Sequence, residues 1–230
     1  VGSLLKHIDE LTILMNNKEI HVLAINETRL DNSIPIQLIT VQGYSWTYKH
    51  RNRSGGGIGF YIKDSINYRI RSDLNDPDIE ILTIEIVKKN VKPLLITTWY
   101  RPPSDSIDSL YKFENCLQLI DQTDKESIIL GDLNYDFLPP EISSQALELK
   151  FITRLYQYEQ LINEPTRVTE NSRTLIDHFY TTNPNDITLC GVSTVCISDH
   201  YLTSDQSEND QKISRNSSIE CFPYEFLERH

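Results

Sequence analysis

The chain has 230 residues, of which 33 are acidic and 22 basic, for a formal net charge of −11. Hydrophobic residues make up 39% and charged residues 24%, which is enough for a core and too mixed for a disordered, collagen-like or coiled-coil chain. The acidic balance excludes a protein that coats nucleic acid by bulk charge, and no apolar run approaches the ~18 residues of a membrane span.

In chain order, Leu4, Ile8, Leu11 and Met15 recur at helical spacing behind Ser3, a good N-cap, and Asn16-Asn17 is the expected stop. His21 to Ile25 is a short apolar run suited to a buried strand, and Gly43 to Tyr48 is aromatic and β-prone. Four of the eight glycines follow at 55, 56, 57 and 59, read as a hairpin turn into a strand around Phe60. Ile79 to Val87 alternates as a half-buried strand does. Leu94 to Tyr100 is a further strand, stopped by Arg101-Pro102-Pro103. Residues 107–122 return to helical spacing. Ser127 to Leu130 is a short buried strand running into Gly131-Asp132-Leu133-Asn134. Residues 142–158 read as a helix, and Arg173 to Thr181 and Ser193 to Ile197 as strands. From Ser204 onward the composition turns to Ser, Asn, Asp, Gln and Glu, expected of a poorly ordered tail. The division is therefore one domain over 1–203 and a polar tail over 204–230. Its alternating helices and strands, several joined by short loops, suggest two mixed sheets face to face with helices outside.

Cys116, Cys190, Cys196 and Cys221 are too scattered for a disulfide scaffold or a zinc site. With no charged-then-apolar leader at the start, reduced thiols inside a cell are expected. Three triplets fit the glycosylation pattern, a match common by chance.

The informative feature is where the acids sit. Glu27 follows one apolar strand, and Asp132 with Asn134 follows another. Asp177-His178 lies in a third strand-like run, and Asp199-His200 follows a fourth. Polar groups at strand ends converge on one rim of a sheet. Crowded carboxylates repel unless a cation lies between them, and hard oxygen donors suit Mg²⁺ or Mn²⁺. Lys49, His50, Arg51 and Arg53 form the one dense basic stretch, the candidate for contact with a DNA backbone. The glycine cluster is not a dinucleotide fingerprint. His178 is expected as a structural neighbour of Asp177, and Trp46 and Trp99 as core.

Asn26-Glu27-Thr28-Arg29-Leu30, Gly55-Gly56-Gly57-Ile58-Gly59, Tyr100-Arg101-Pro102-Pro103, Gly131-Asp132-Leu133-Asn134, Leu175-Ile176-Asp177-His178 and Ser198-Asp199-His200 occur in that order. The ordered set resembles the endonuclease/exonuclease/phosphatase superfamily, and most of all the apurinic-type endonuclease domain of non-LTR retrotransposons, over residues 3–202. The resemblance implies a DNase-I-like four-layer α/β sandwich and a metal-dependent phosphodiesterase that nicks DNA to a 3′-hydroxyl and a 5′-phosphate. It implies Glu27 and Asp199 as ligands of Mg²⁺, with Mn²⁺ as a substitute. Asp132 would orient or deprotonate the attacking water, Asn134 would hold that water or the phosphate, and His200 would donate to a non-bridging oxygen. Asp177 would orient His200, Tyr100 would contact the phosphate or leaving oxygen, and Ser198, Arg173 and Thr166 would touch phosphate. The implied partners are DNA and a reverse transcriptase in the parent polyprotein, although this chain holds no Tyr-x-Asp-Asp run. A monomer that meets no membrane is expected, intracellular, and nuclear if it acts on genomic DNA.

Two departures stand out. The family opens with a strand ending in an Asn that supports the metal site, and this chain starts at Val1-Gly2-Ser3, so an unpaired strand edge is expected. After Ser198-Asp199-His200 the family continues with an apolar strand, whereas Thr203-Ser204-Asp205-Gln206 is polar, so the first and last strands are expected to be incomplete. Two alternatives follow: a phosphatase or phosphodiesterase of the same fold acting on a non-DNA substrate, and a degenerate, non-catalytic remnant.

Overall fold

Period-two alternation sorts the strand residues between two faces, and the sorting defines the layers. The computed structural model describes residues 3–18, 20–52, 54–138, 142–187, 189–193, 202–206 and 219–222. Helix α1 (Ser3–Lys18) leads to β1 (Val22–Ile25), β2 (Tyr44–Lys49), β3 (Ile58–Lys63), β4 (Tyr68–Ile70), β5 (Glu80–Ile86) and β6 (Leu94–Tyr100). Then come α2 (Asp108–Asp121), β7 (Glu126–Asp132), α3 (Ser144–Leu155), β8 (Glu159–Gln160), β9 (Arg167–Val168), β10 (Arg173–Thr174), β11 (Asp177–Thr181), β12 (Leu189–Ser193), β13 (Leu202–Gln206) and β14 (Ile219–Phe222).

One six-stranded sheet runs β12-β13-β14-β1-β3-β2, the other β4-β5-β6-β7-β11-β8, and β9 pairs with β10 apart from both. Each large sheet holds one parallel pair, β1 with β14 and β6 with β7, among antiparallel ones. Val22, Ala24, Ile58, Phe60 and Ile62 of the first sheet meet Leu82, Ile84, Ile96, Ile128, Leu130 and Phe179 of the second in a central core. The alternate residues point outward. Leu23, Ile25 and Tyr61 pack under Leu4, Leu11 and Met15 of α1. Ile81, Trp99, Ile129 and Tyr180 pack under Leu110, Phe113 and Leu117 of α2 and Ala146, Leu149 and Ile152 of α3. The result is the expected four-layer sandwich of two mixed sheets with helices outside.

The elements largely follow the sequence pattern. The helix expected to stop at Asn16-Asn17 continues to Lys18, which places a cation on its carboxyl end. Ser143 caps α3, its hydroxyl accepting from the Ala146 amide at 3.1 Å. The strand expected over 173–181 is two, interrupted at Leu175-Ile176. The strand expected over 193–197 is displaced to Leu189–Ser193, and 194–197 lies outside the described residues. Strand β14, within the stretch read as a polar tail, runs parallel to β1 with Phe222 level with Ile25, and β13 pairs with β14 in turn. The edge of β1 that was expected to be unpaired is therefore covered.

Glu85 anchors the outer face of the second sheet. Its fully buried carboxylate accepts from Arg69, Arg71 and Lys125 at 2.6 to 3.1 Å. Burial pushes this carboxyl up, but the three cations more than offset that and hold it at about 2. Its contribution to stability is thus complete above the ordinary carboxylate range and lost as pH falls towards 2. Glu85→Ala leaves three cations without their common anion and is expected to cost roughly 3 kcal/mol in urea denaturation at pH 7, with a smaller difference from the parent at pH 3.

Candidate active site

Four strands deliver polar residues to one rim because of how they are paired. Asp132 ends β7 and Asp177 begins the antiparallel β11, so the two acids face each other in register. Tyr100 ends β6 and Glu80 begins the antiparallel β5, again in register. Glu27 lies just beyond β1 in the facing sheet, and Gly57 just before β3, which is antiparallel to β1.

Asn26 joins the two sheets at this rim. It is fully buried. Its carboxamide oxygen accepts the Asp132 amide at 2.9 Å and its nitrogen donates to the Thr98 hydroxyl at 3.0 Å. Asn26 thereby ties the chain bearing Glu27 to the chain bearing Asp132. Gly131 makes the approach possible: at φ +152°, a methyl group there would sit 2.0 Å from the Trp99 carbonyl oxygen.

Glu27 is 6% exposed, Asp132 3% and Asp177 0%. The Tyr100 hydroxyl donates to Glu27 Oε1, and Arg29 donates to Oε2 at 3.2 Å. Burial and the Glu27 carboxylate both raise the Tyr100 pKa, so the phenol stays protonated and remains a donor at neutral pH. Tyr100, expected at the phosphate, thus holds the Glu27 carboxylate. The Asn134 amide donates to Asp132 Oδ1 at 3.1 Å, and its carboxamide nitrogen donates to the Arg101 carbonyl at 2.8 Å. The Arg101 amide in turn donates to the Asp132 carbonyl at 3.0 Å. Asn134 adopts φ +51°, a conformation that the short polar side chain of Asn tolerates.

The other expected site residues divide. Thr166 is buried and its hydroxyl accepts the amides of Ile176 and Asp177 at 3.2 and 3.0 Å, so it fixes the start of β11 from inside instead of facing phosphate. Arg173 is exposed on β10. Lys49, expected at a DNA backbone, is engaged within the protein: its ammonium donates to the carbonyls of Asp76, Pro77 and Ile79 at 2.6 to 3.1 Å. Burial lowers the Lys49 pKa. Arg51 pairs with Glu80 at 2.9 Å, and His50 stacks on Tyr48 with ring centres 3.8 Å apart. Arg53, Ser198, Asp199 and His200 lie outside the described residues. Among the described residues no three of His, Cys, Asp and Glu gather closely enough to hold a metal ion by themselves.

His178 is a satisfied core histidine. Nδ1 accepts from the Gln160 carboxamide at 2.7 Å and Nε2 donates to the Tyr135 carbonyl at 2.9 Å. Burial pushes it down to about 3, so it is neutral at pH 7. Sequence reasoning overlooked Asn26, Glu80 and Arg101 as site residues. The available signal for Asn26 was a polar residue closing a wholly apolar strand.

The chain matches the endonuclease/exonuclease/phosphatase family over residues 2–200. No curated protein matches it. Among solved structures, it is similar to the endonuclease domain of TRAS1, a telomere-specific non-LTR retrotransposon, with a TM-score of 0.70 and 14% identity over 89% of this chain and 93% of that one. It is similar to the Neisseria 3′ phosphatase NExo bound to a product DNA hairpin, with a TM-score of 0.66 and 14% identity over 91% and 97%. It is also similar to an AP endonuclease from Archaeoglobus fulgidus, with a TM-score of 0.64 and 16% identity over 91% and 97%.

Two outcomes are expected of this geometry. Asn26→Ala leaves the buried Asp132 amide without its acceptor, at a cost of roughly 1–3 kcal/mol, and hydrogen exchange at that amide should accelerate. Neutral His178 stabilises the fold only where the unfolded chain's histidine is also neutral. Stability should therefore fall as pH drops below the ordinary histidine value, by up to ~1.4 kcal/mol per pH unit. Urea denaturation of His178→Gln between pH 7 and 5 should show a flatter dependence than the parent.

Proposed function

Because the chain belongs to the endonuclease/exonuclease/phosphatase family, we propose that it is a divalent-cation-dependent phosphodiesterase that nicks DNA, leaving a 3′-hydroxyl and a 5′-phosphate. The observation that carries this reading is the convergence of Glu27, Tyr100, Asp132 and Asp177 from both sheets on one rim, with Asn26 bridging them. Strand β13 adds support: Thr203 is level with Cys221, which is level with Ala24, so the segment after Asp199-His200 enters the sheet at that same rim.

The donor set suits a hard cation, since Glu27 and Asp132 offer buried carboxylate oxygens. In this reading Glu27 holds the ion together with Asp199. A bound Mg²⁺ or Mn²⁺ would neutralise charge on the phosphoryl group, which otherwise repels an anionic nucleophile. Asp132 accepts a proton from water as its oxygen bonds to phosphorus. Asn134, held by the Asp132 carboxylate and the Arg101 carbonyl, positions that water through its carboxamide. The bond from phosphorus to the 3′ oxygen breaks, and that oxygen takes a proton to become the 3′-hydroxyl. His200, oriented by Asp177, donates to a non-bridging oxygen, with Ser198 and Arg173 on neighbouring phosphate oxygens. Tyr100 holds Glu27 in place. Arg53 remains the candidate backbone contact in the basic stretch, and a monomer suffices for this chemistry.

A second reading, a phosphatase or phosphodiesterase of the same fold acting on a non-DNA substrate, is favoured by one observation: Lys49 and Arg51 are both engaged within the protein. No helix among the described residues is long and apolar enough to cross a membrane. The deciding experiment incubates the full chain with supercoiled plasmid and Mg²⁺. Nicking is expected, abolished by EDTA and slowed ~100- to 1,000-fold in Asp132→Ala and Glu27→Gln. Variants as fast as the parent would sink the assignment. Release of phosphate from small-molecule phosphoesters without plasmid nicking would select the second reading.

A further inference from the structure

The triglycine turn is bonded to the chain around Glu27. Glu27 and Arg29 both sit at positive φ, +53° and +52°, a strained conformation for residues with long side chains. Something outside the turn must hold them there. The Gly57 carbonyl accepts the Thr28 amide at 2.9 Å, and the Gly56 carbonyl accepts the Arg29 amide at 2.9 Å. The glycine loop is thus a template on which the Glu27 turn is laid. Its own backbone is left-handed at Gly56 and Gly57, φ +72° and +85°. A methyl group at Gly57 would lie 2.5 Å from the Thr28 hydroxyl, and one at Gly56 would lie 2.6 Å from both carboxylate oxygens of Glu80. Only glycine allows this approach from both sides.

Glu80 is what fixes the loop. Its side chain is 13% exposed, and its carboxylate accepts the Gly57 amide through one oxygen and Arg51 through the other. The Gly57 amide therefore points at a carboxylate of this same chain and not at a ligand. Because Glu80 opens β5 level with Tyr100, the second sheet reaches Glu27 twice: directly through the Tyr100 hydroxyl, and indirectly through Glu80, the glycine loop and the Thr28 and Arg29 amides.

We propose that Glu80 is a positioning residue: its carboxylate clamps the glycine loop and so holds Glu27 in the conformation that presents it to a divalent cation. This rests on the role given to Glu27 above. The test separates the two with three Glu80 variants and Glu27→Gln in the full chain. Mn²⁺ affinity is measured by isothermal titration, and hydrogen exchange of the Thr28 and Arg29 amides is measured without metal. Glu80→Ala removes the clamp, and Glu80→Asp retains the charge but draws the carboxylate back from the Gly57 amide. Both should weaken Mn²⁺ binding ~10- to 100-fold and speed exchange at the two amides. Glu80→Gln, which still offers an oxygen to Gly57, should restore most of both. If Glu80→Ala fails to fold, Glu80→Asp alone decides. Unchanged affinity and exchange in Glu80→Asp, while Glu27→Gln loses Mn²⁺, would overturn the clamp and leave the site standing. Undiminished Mn²⁺ binding by Glu27→Gln would overturn the site itself.

Discussion

The carboxamide of Asn26 is the contact on which the rim is organised. Two sheets packed face to face share an apolar core, and apolar contact is non-directional. It sets their spacing but allows them to slide. Asn26 adds direction. Its oxygen receives the Asp132 amide and its nitrogen reaches Thr98, both on the opposite sheet. In a buried setting each of these groups would be costly to leave unpaired. One register of the sheets satisfies them, and in that register Glu27 and Asp132 are brought together. The close approach at Gly131 serves the same end by letting β7 lie against the carbonyl of Trp99.

Buried carboxylates occur at both ends of the second sheet. Glu85, remote from the rim, is surrounded by three cations and fully compensated. At the rim Glu27, Asp132 and Asp177 are buried. Among their contacts there, Glu27 accepts from the Tyr100 phenol and the Arg29 guanidinium, and Asp132 from the Asn134 amide. A structural cluster offsets its charge internally. In the proposed function a bound cation would offset the charge of the acidic rim. The sheet edges show comparable economy: β4 and β8 are only three and two residues long, and Arg69 on β4 is held by Glu85, so neither edge offers a long flat ladder to another chain.

Read alone, the sequence determined the order of the three helices and of most longer strands, the two-sheet class and the ordered acidic motifs. Period-two alternation in Ile79 to Val87 and helical spacing in Leu4 to Met15 depend only on local geometry, which is why they were legible. The same holds for Glu27, Asp132 and Asp177, because an acid at the end of an apolar strand is visible in one dimension. What the tertiary structure decided concerns partners far apart in the chain. Lys49 reads as a solvent-facing cation, yet three carbonyls some thirty residues away draw it inward. Thr166 turns its hydroxyl to the backbone of β11, and β14 comes from the polar end of the chain to pair with β1. Tyr100 turns to Glu27, and Glu80, one acid among 33, becomes the support of a glycine loop. Hydrogen bonds are directional and short-ranged, so which donor meets which acceptor is settled only once the sheets have packed.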